Sequence, residues 1–395
     1  MPNVMTGLEN WLEQSHPLPN GRWGLLMNQA SITSRMEYAS DAFLQRFPGR
    51  LSALFSPQHG IFGEQQANMI ESEHGFDARL GIPVFSLYSE TRRPTSNMLD
   101  HIDALFIDLQ DVGTRVYTFI WTLMECLIAC DERNLPVFVL DRPNPIGGLV
   151  AEGPMLESNL KSFVGGYEIP LRHGLTMGEM ARFLHRQLAL QLPLTIIPMK
   201  GWNRSMVFPE TGLPWVPPSP NMPRFETTIF YPGQVLLEGI GLSEGRGTTL
   251  PFEMIGAPFI DPYALADALR TFDLPGMWIR PIRFKPTFDK WKGESCGGVS
   301  FHIRDPQAIR SVDLTVAAIA CCKELYGDQV SWLPPPYEYE YHKSPIDILY
   351  GNAWLRQTID SSQHPMQSIR TMTPWNSDAW WENVQPDLLY GTSDR

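Results

Sequence analysis

The chain has 395 residues, enough at roughly 100–200 per domain for two domains. Its 31 Lys+Arg against 43 Asp+Glu leave a net charge of −12, the wrong sign for a protein that tracks nucleic-acid phosphates, and no run approaches the ~20 apolar residues that span a bilayer. The first residues lack a basic segment followed by an apolar one, and Cys126, Cys130, Cys296, Cys321 and Cys322 form no C-x-x-C pattern; both lead us to expect a cytoplasmic protein with reduced thiols.

Short apolar runs at 22–27, 51–55, 83–87, 104–109, 137–140 and 194–198 predict strands covered on both faces. Between them, apolar residues at helical spacing predict a helix over 116–133. Thr176 and Glu179 predict a capping box that opens another. Strand–helix alternation predicts an α/β fold with a Rossmann-like, doubly wound parallel sheet. From about 200 to 260 the character changes. In FPETGLPWVPPSPNMP, Pro217, Pro218 and Pro220 forbid a helix, and so long a stretch without regular structure points to a functional loop. Beyond it, a helix over 262–271, strands over 278–283 and 298–303, and a helix over Ser311–Tyr326 predict a smaller α+β C-terminal domain. We therefore divide the chain into a catalytic domain, 1–245, and a smaller domain, 246–395, that closes a cleft.

Ligands of open parallel sheets bind at the carboxyl ends of the strands. Three predicted strand ends converge there with polar residues. SPQHGIFGE brings Gln58, His59 and Glu64; QDVGTRVYT brings Asp111, Arg115 and Tyr117; DRPNPIGG brings Asp141, Arg142 and Asn144. Each also has a purely structural reading. Asp141 could cap a turn with Asn144, Asp111 could cap the following helix, His59 could bond backbone in a turn, and the arginines could pair with those aspartates. A second cluster, LLEGIGLSEGRGTT, carries Glu238, Glu244 and Arg246 among glycines that allow close approach to a ligand. It is neither a Walker loop nor a dinucleotide fingerprint, and it suits a carboxylated or hydroxylated ligand better than a nucleotide. His59, Glu64, His74, Asp108 and Asp111 match no familiar metal-ligand spacing, and no G-x-S-x-G elbow is present, so neither a metal site nor a serine triad is expected.

The ordered set SPQHGIFGE, PVFSLYSETRRPT, IDLQDVGTRVYTF, VLDRPNPIGG, SFVGGYEIPLRHGLTMGE, PSPNMP and LLEGIGLSEGRGTTLPFE resembles the exo-β-N-acetylmuramidase (NamZ-like) family, over about residues 20–355. The resemblance implies a glycoside hydrolase that removes terminal N-acetylmuramic acid from peptidoglycan fragments. It also implies a Rossmann-like domain and a smaller domain with the cleft between them, and neither metal nor nucleotide. There is one departure. Members carry Pro-Glu-His-Gly after the second strand, with that glutamate assigned to catalysis, whereas this chain has Pro57, Gln58, His59 and Gly60. A neutral amide cannot protonate a leaving oxygen. We therefore expect Glu64 as general acid, with Glu71 and Asp111 as second choices, and His59 orienting a carboxylate or the substrate. Gln58 would bind a sugar hydroxyl or the N-acetyl group. Arg115, Arg142 or Arg246 would pair with the lactyl carboxylate, and Tyr117 would line the floor. Asp141, Asn144, His173, Asn221 and Glu244 complete the expected substrate site. A hydrolase of another amino sugar, a metal-assisted hydrolase and a non-catalytic sugar binder are the alternatives. The partner expected is a small amino-sugar substrate, with no nucleic acid and no membrane; the oligomeric state is not fixed by the sequence.

Overall fold

The strands of the N-terminal part are β1 (Trp23–Met27), β2 (Leu51–Ser56), β3 (Gly75–Asp77), β4 (Ile82–Ser86), β5 (Ala104–Asp108), β6 (Val137–Leu140), β7 (Glu152–Met155), β8 (Pro170–Arg172) and β9 (Leu194–Ile197). The computed structural model that shows them describes residues 4–13, 17–63, 71–373 and 375–392. Strands β7 and β8 pair with each other, and the other seven form a sheet in the order β3-β4-β2-β1-β5-β6-β9. All neighbours are parallel except β3 and β4. The chain winds outward from β1 through β2 to β4, then returns to the other side of β1 for β5 and continues to β6 and β9. The order thus reverses between β1 and β5, where a ligand crevice is expected. The short antiparallel edge strand β3 was not expected from the sequence.

Both faces of the sheet are covered, which is why its strands read as continuous apolar runs. Side chains alternate along β1. Trp23, Leu25 and Met27 join one core with Trp11 of helix α1 (Gly7–Glu13) and Phe43 of α2 (Ala39–Arg46). Leu26 joins the other core, with α3 (Ser96–Leu99), α4 (Phe119–Asp131) and α5 (Met177–Gln187). The first core is aromatic: Phe106 lies 5.2 Å from Trp11 and stacks on Phe138 at 4.9 Å between centroids. Helix α5 opens with the expected capping box of Thr176 and Glu179. Helix α4 begins later than expected, because residues 114–118 are held in a turn, with Tyr117 N donating to Thr114 O and Arg115 N to Leu171 O.

The segment 200–260 is more regular than its prolines imply. It contains helix α6 (Phe225–Gln234), followed directly by a 3-10 turn, Val235–Gly239. Pro232 lies inside α6, and a Cβ at Gly233 would stand 1.7 Å from Ser311 O, so only glycine lets α6 press against helix α8 (Ser311–Tyr326). The last strands, β10 (Met254–Ala257), β11 (Met277–Phe284) and β12 (Cys296–Ile303), form an antiparallel sheet in the order β10-β12-β11, with α7 (Pro262–Leu269) beside it. The end of the chain folds back onto the first sheet. Tyr390 Oη donates to Asp141 at 2.6 Å, and Trp380 Nε1 donates to the His173 carbonyl at 2.9 Å. No helix among the described residues is long and apolar enough to cross a membrane.

Candidate active site

The turn after β2 places Gln58 and His59 at the carboxyl edge of the sheet. His59 and Gly60 both adopt left-handed backbone (φ 74° and 79°), which bends the chain back at once. Gln58 is buried, and its Oε1 accepts from Thr118 Oγ1 at 2.8 Å, so the turns after β2 and β5 are tied together. The proline-rich segment lies across the end of β1, where the Asn28 and Gln29 amides donate to the Pro218 and Pro217 carbonyls. That attachment presents Ser219 and Asn221 beside Tyr117. The opposite wall comes from the second half of the chain: Tyr231 of α6, Glu238 of the 3-10 turn, Arg246 of the glycine-rich loop, and Tyr337 with Glu338. The enclosed space between the walls is narrow, about 40 Å³.

The charges in this cleft are unevenly paired. Arg246 bridges two acids, with Nη2 bonded to Glu238 and Nε 3.3 Å from Glu244. Tyr337 Oη donates to the other Glu238 oxygen at 2.5 Å. Glu244 is also met by Lys290 at 2.7 Å. Burial opposes ionisation of Glu244, but Lys290 and Arg246 outweigh it and hold its carboxyl below the usual range. Glu338 is different. It accepts from Tyr88 Oη at 3.2 Å and has no ion pair among the described residues. Burial first, and then the nearby Glu238, push its carboxyl up to about 7, against the smaller opposing effects of Tyr88, Arg246 and Arg92. The backbone that presents it is unusual too. Tyr337 and Glu340 exchange both backbone hydrogen bonds, so Glu338 (φ 44°) and Tyr339 (φ 66°) form a two-residue reversal with both residues left-handed. Such turns favour asparagine and glycine, and non-glycine residues held in sparsely populated backbone cost on the order of 1–3 kcal/mol each. Strain of that kind gathers at functional sites.

Of the residues expected from the sequence, Gln58, His59, Tyr117, Asn221 and Arg246 line this cleft together. Others at the same sheet edge are turned to structural tasks. Arg115 is fully buried and its two terminal nitrogens donate to the carbonyls of Pro154, Ile169 and Leu349. Arg142 makes a two-pronged pair with Asp108 and donates to Ile32 O. Asp141 accepts from Gly178 N, Thr176 Oγ1 and Tyr390 Oη. Asn144 bonds Leu175 O and Ile146 N. These four do not reach the cleft, and the alternative of a structural network describes them. Asp111 accepts from Gly113 N and stands 3.5 Å from His173 Nε2; this pair and Glu244 lie outside the cleft lining. Glu64 lies outside the described residues. Among the described residues, no three His, Cys, Asp or Glu side chains form a group that could hold a metal ion. Tyr88, Tyr231, Tyr337 and Glu338 were not singled out from the sequence. The one local signal for the last two was the acid–tyrosine alternation of YEYEY after three prolines.

The chain is similar to known proteins over most of its length. Residues 23–226 match the family model described as exo-β-N-acetylmuramidase NamZ, N-terminal, and residues 229–390 match its C-terminal counterpart. The match thus runs past residue 355, where the resemblance drawn from motifs ends. The peptidoglycan β-N-acetylmuramidase NamZ of Bacillus subtilis (strain 168) is 41% identical over 362 residues, spanning 91% of this chain and 85% of that protein. Crystal structures of two DUF1343 family proteins of Bacteroides fragilis NCTC 9343 superpose with TM-scores of 0.86 and 0.74, at 33% and 26% identity. Each comparison covers 99% of this chain, with 100% and 99% of the respective neighbour. With both halves matched and such a relative over most of its length, the chain belongs to the exo-β-N-acetylmuramidase NamZ family of glycoside hydrolases.

Proposed function

We propose that this protein hydrolyses the β-glycosidic bond of a terminal N-acetylmuramic acid, or a related amino sugar, in soluble peptidoglycan fragments. The observation that carries the reading is the pair of carboxyls, Glu238 and Glu338, with Arg246 in one wall of the cleft. An oxocarbenium-like transition state needs acidic groups on the scissile bond, and a lactyl carboxylate needs an arginine. Of the three arginines expected for that task, Arg246 is the one that lines the cleft. Tyr117 and Tyr231 supply flat surface for the ring, and Gln58, His59 and Asn221 supply hydrogen bonds to its substituents. Glu238, ion-paired to Arg246, is the carboxylate we assign to face the developing positive charge at the anomeric carbon. We retain the proposed division at residues 245 and 246. Five buried free cysteines support the cytoplasmic location we propose, where imported fragments and not intact wall would be the substrate. The test is turnover of a para-nitrophenyl muramide beside its gluco and galacto analogues. Preference for the muramide supports the reading, and binding of N-acetylmuramic acid without turnover of any of the three refutes it.

A further inference from the structure

We infer that Glu338 is the general acid of the cleft, the group whose proton the leaving sugar oxygen takes as the glycosidic bond breaks. The inference rests on the hydrolytic reading above and assigns its proton donor to the half of the chain beyond the parallel sheet. Among the described residues of the facing wall, the polar groups are the Gln58 and Asn221 amides, the His59 ring and hydroxyls, and none is a carboxyl. Among the described residues, the carboxyls that line the cleft are those of Glu238 and Glu338. Their partners differ in kind. Glu238 has the Arg246 guanidinium on one oxygen and the Tyr337 hydroxyl on the other. Glu338, only 4% exposed, has a single neutral donor, Tyr88 Oη. With one cation shared between two neighbouring carboxyls, the proton resides on the one that lacks it.

The groups facing Glu338 agree. Tyr88 and Arg92 follow β4, Tyr231 comes from α6, Glu238 and Arg246 come from the 3-10 turn and glycine-rich loop, and Tyr337 is adjacent in sequence. Burial and Glu238 together outweigh Arg246, Arg92 and Tyr88, and place its titration at about 7, where it is half protonated at neutral pH. The left-handed reversal at Glu338 and Tyr339 aims the carboxyl into the cleft, and Arg92 braces it from outside, 4.0 Å over the Tyr88 ring and 4.9 Å over that of Tyr339. In the step proposed, the C1–O bond breaks with its electron pair on the leaving oxygen, which takes the Glu338 proton and departs as an alcohol. Water supplies the hydroxyl to C1, and its remaining proton restores the Glu338 carboxyl.

Leaving-group dependence tests the assignment. In Glu338→Gln, turnover of a muramic-acid disaccharide is expected to fall about 10³-fold, while turnover of a dinitrophenyl muramide, whose leaving group needs no proton, falls by less than about tenfold. Tyr88→Phe removes the bond that favours the charged carboxyl, so the basic limb of its kcat/KM profile is expected to move to higher pH. Equal losses on both substrates in a natively folded Glu338→Gln protein overturn the assignment. So does an unmoved profile in Tyr88→Phe, or the leaving-group pattern appearing in Glu64→Gln and not in Glu338→Gln. If the wild-type protein turns over no muramide, the hydrolytic reading falls and takes this one with it; wild-type turnover with equal variant losses overturns the acid assignment alone.

Discussion

Two buried polar clusters sit at the carboxyl edge of the same sheet, and they differ in how their carboxyls are paired. At the end of β5 and β6, Asp108 has Arg142, Asp141 has three side-chain and helix-capping donors, and Arg115 donates to backbone carbonyls. Beside them, the cleft holds Glu238 and Glu338 with unequal partners, a raised carboxyl and a strained turn. A satisfied network stabilises; an unequal one is poised for chemistry, because a proton or a ligand completes it. Polarity at a strand end does not identify a site, whereas unequal pairing of neighbouring carboxyls around a cavity points to one.

Substitutions should separate the two clusters, with the greatest loss of activity at Glu238. Glu238→Gln is expected to cut kcat by about 10³-fold or more while leaving the thermal midpoint within a few degrees; a folded variant with near-native kcat would move Glu238 to the structural side. Asp108→Ala should do the reverse. Stranding Arg142 in the interior costs about 3–5 kcal/mol, read by denaturant titration, with kcat of the folded fraction kept within a few fold. Arg246→Gln is expected to lose about 10- to 100-fold in kcat/KM for the muramide, and less for the gluco analogue that lacks the carboxylate. Equal losses for the two sugars would remove the lactyl contact.

The smallest effect is expected in Tyr390→Phe, at about 1 kcal/mol. Burial first, against the bonds from Tyr390, Gly178 and Thr176, pushes the Asp141 carboxyl up to about 7, above its unfolded value near ~4. Its contribution to stability is therefore fully present below pH ~4 and is lost as pH rises towards 7. Tyr390 favours the charged form, so the cost of the substitution should grow with pH across that window. A cost that is flat or shrinking from pH 4 to 8 would contradict the assignment.

Much of the frame was legible in the sequence. The six expected strands all formed, since runs such as WGLLM and ALFID tolerate burial on both faces. Thr176 and Glu179 act through a local spacing, and Ser311–Tyr326 is the helix expected. Helix α6 was not expected from the sequence; it lies just beyond the proline-rich stretch, carries Pro232 and is packed on α8. Gln58, His59, Tyr117, Asn221 and Arg246, expected from their loops, line the cleft. Arg115 and Arg142 looked equally functional, and only the fold shows them turned to backbone carbonyls and Asp108.

Glu338 could not be found by such reasoning. It is a lone acid in a turn, 250 positions from the tyrosine it bonds. Periodicity and capping are short-range, so the six parallel strands, the doubly wound α/β class and the family could be read from the sequence, whereas the order of the strands could not. Which acids share a cation, and which does not, depends on segments far apart in the chain meeting out of water. That was decided by the tertiary structure, because a carboxyl's proton affinity is set by its burial and by charges within a few ångströms, whatever their separation along the chain.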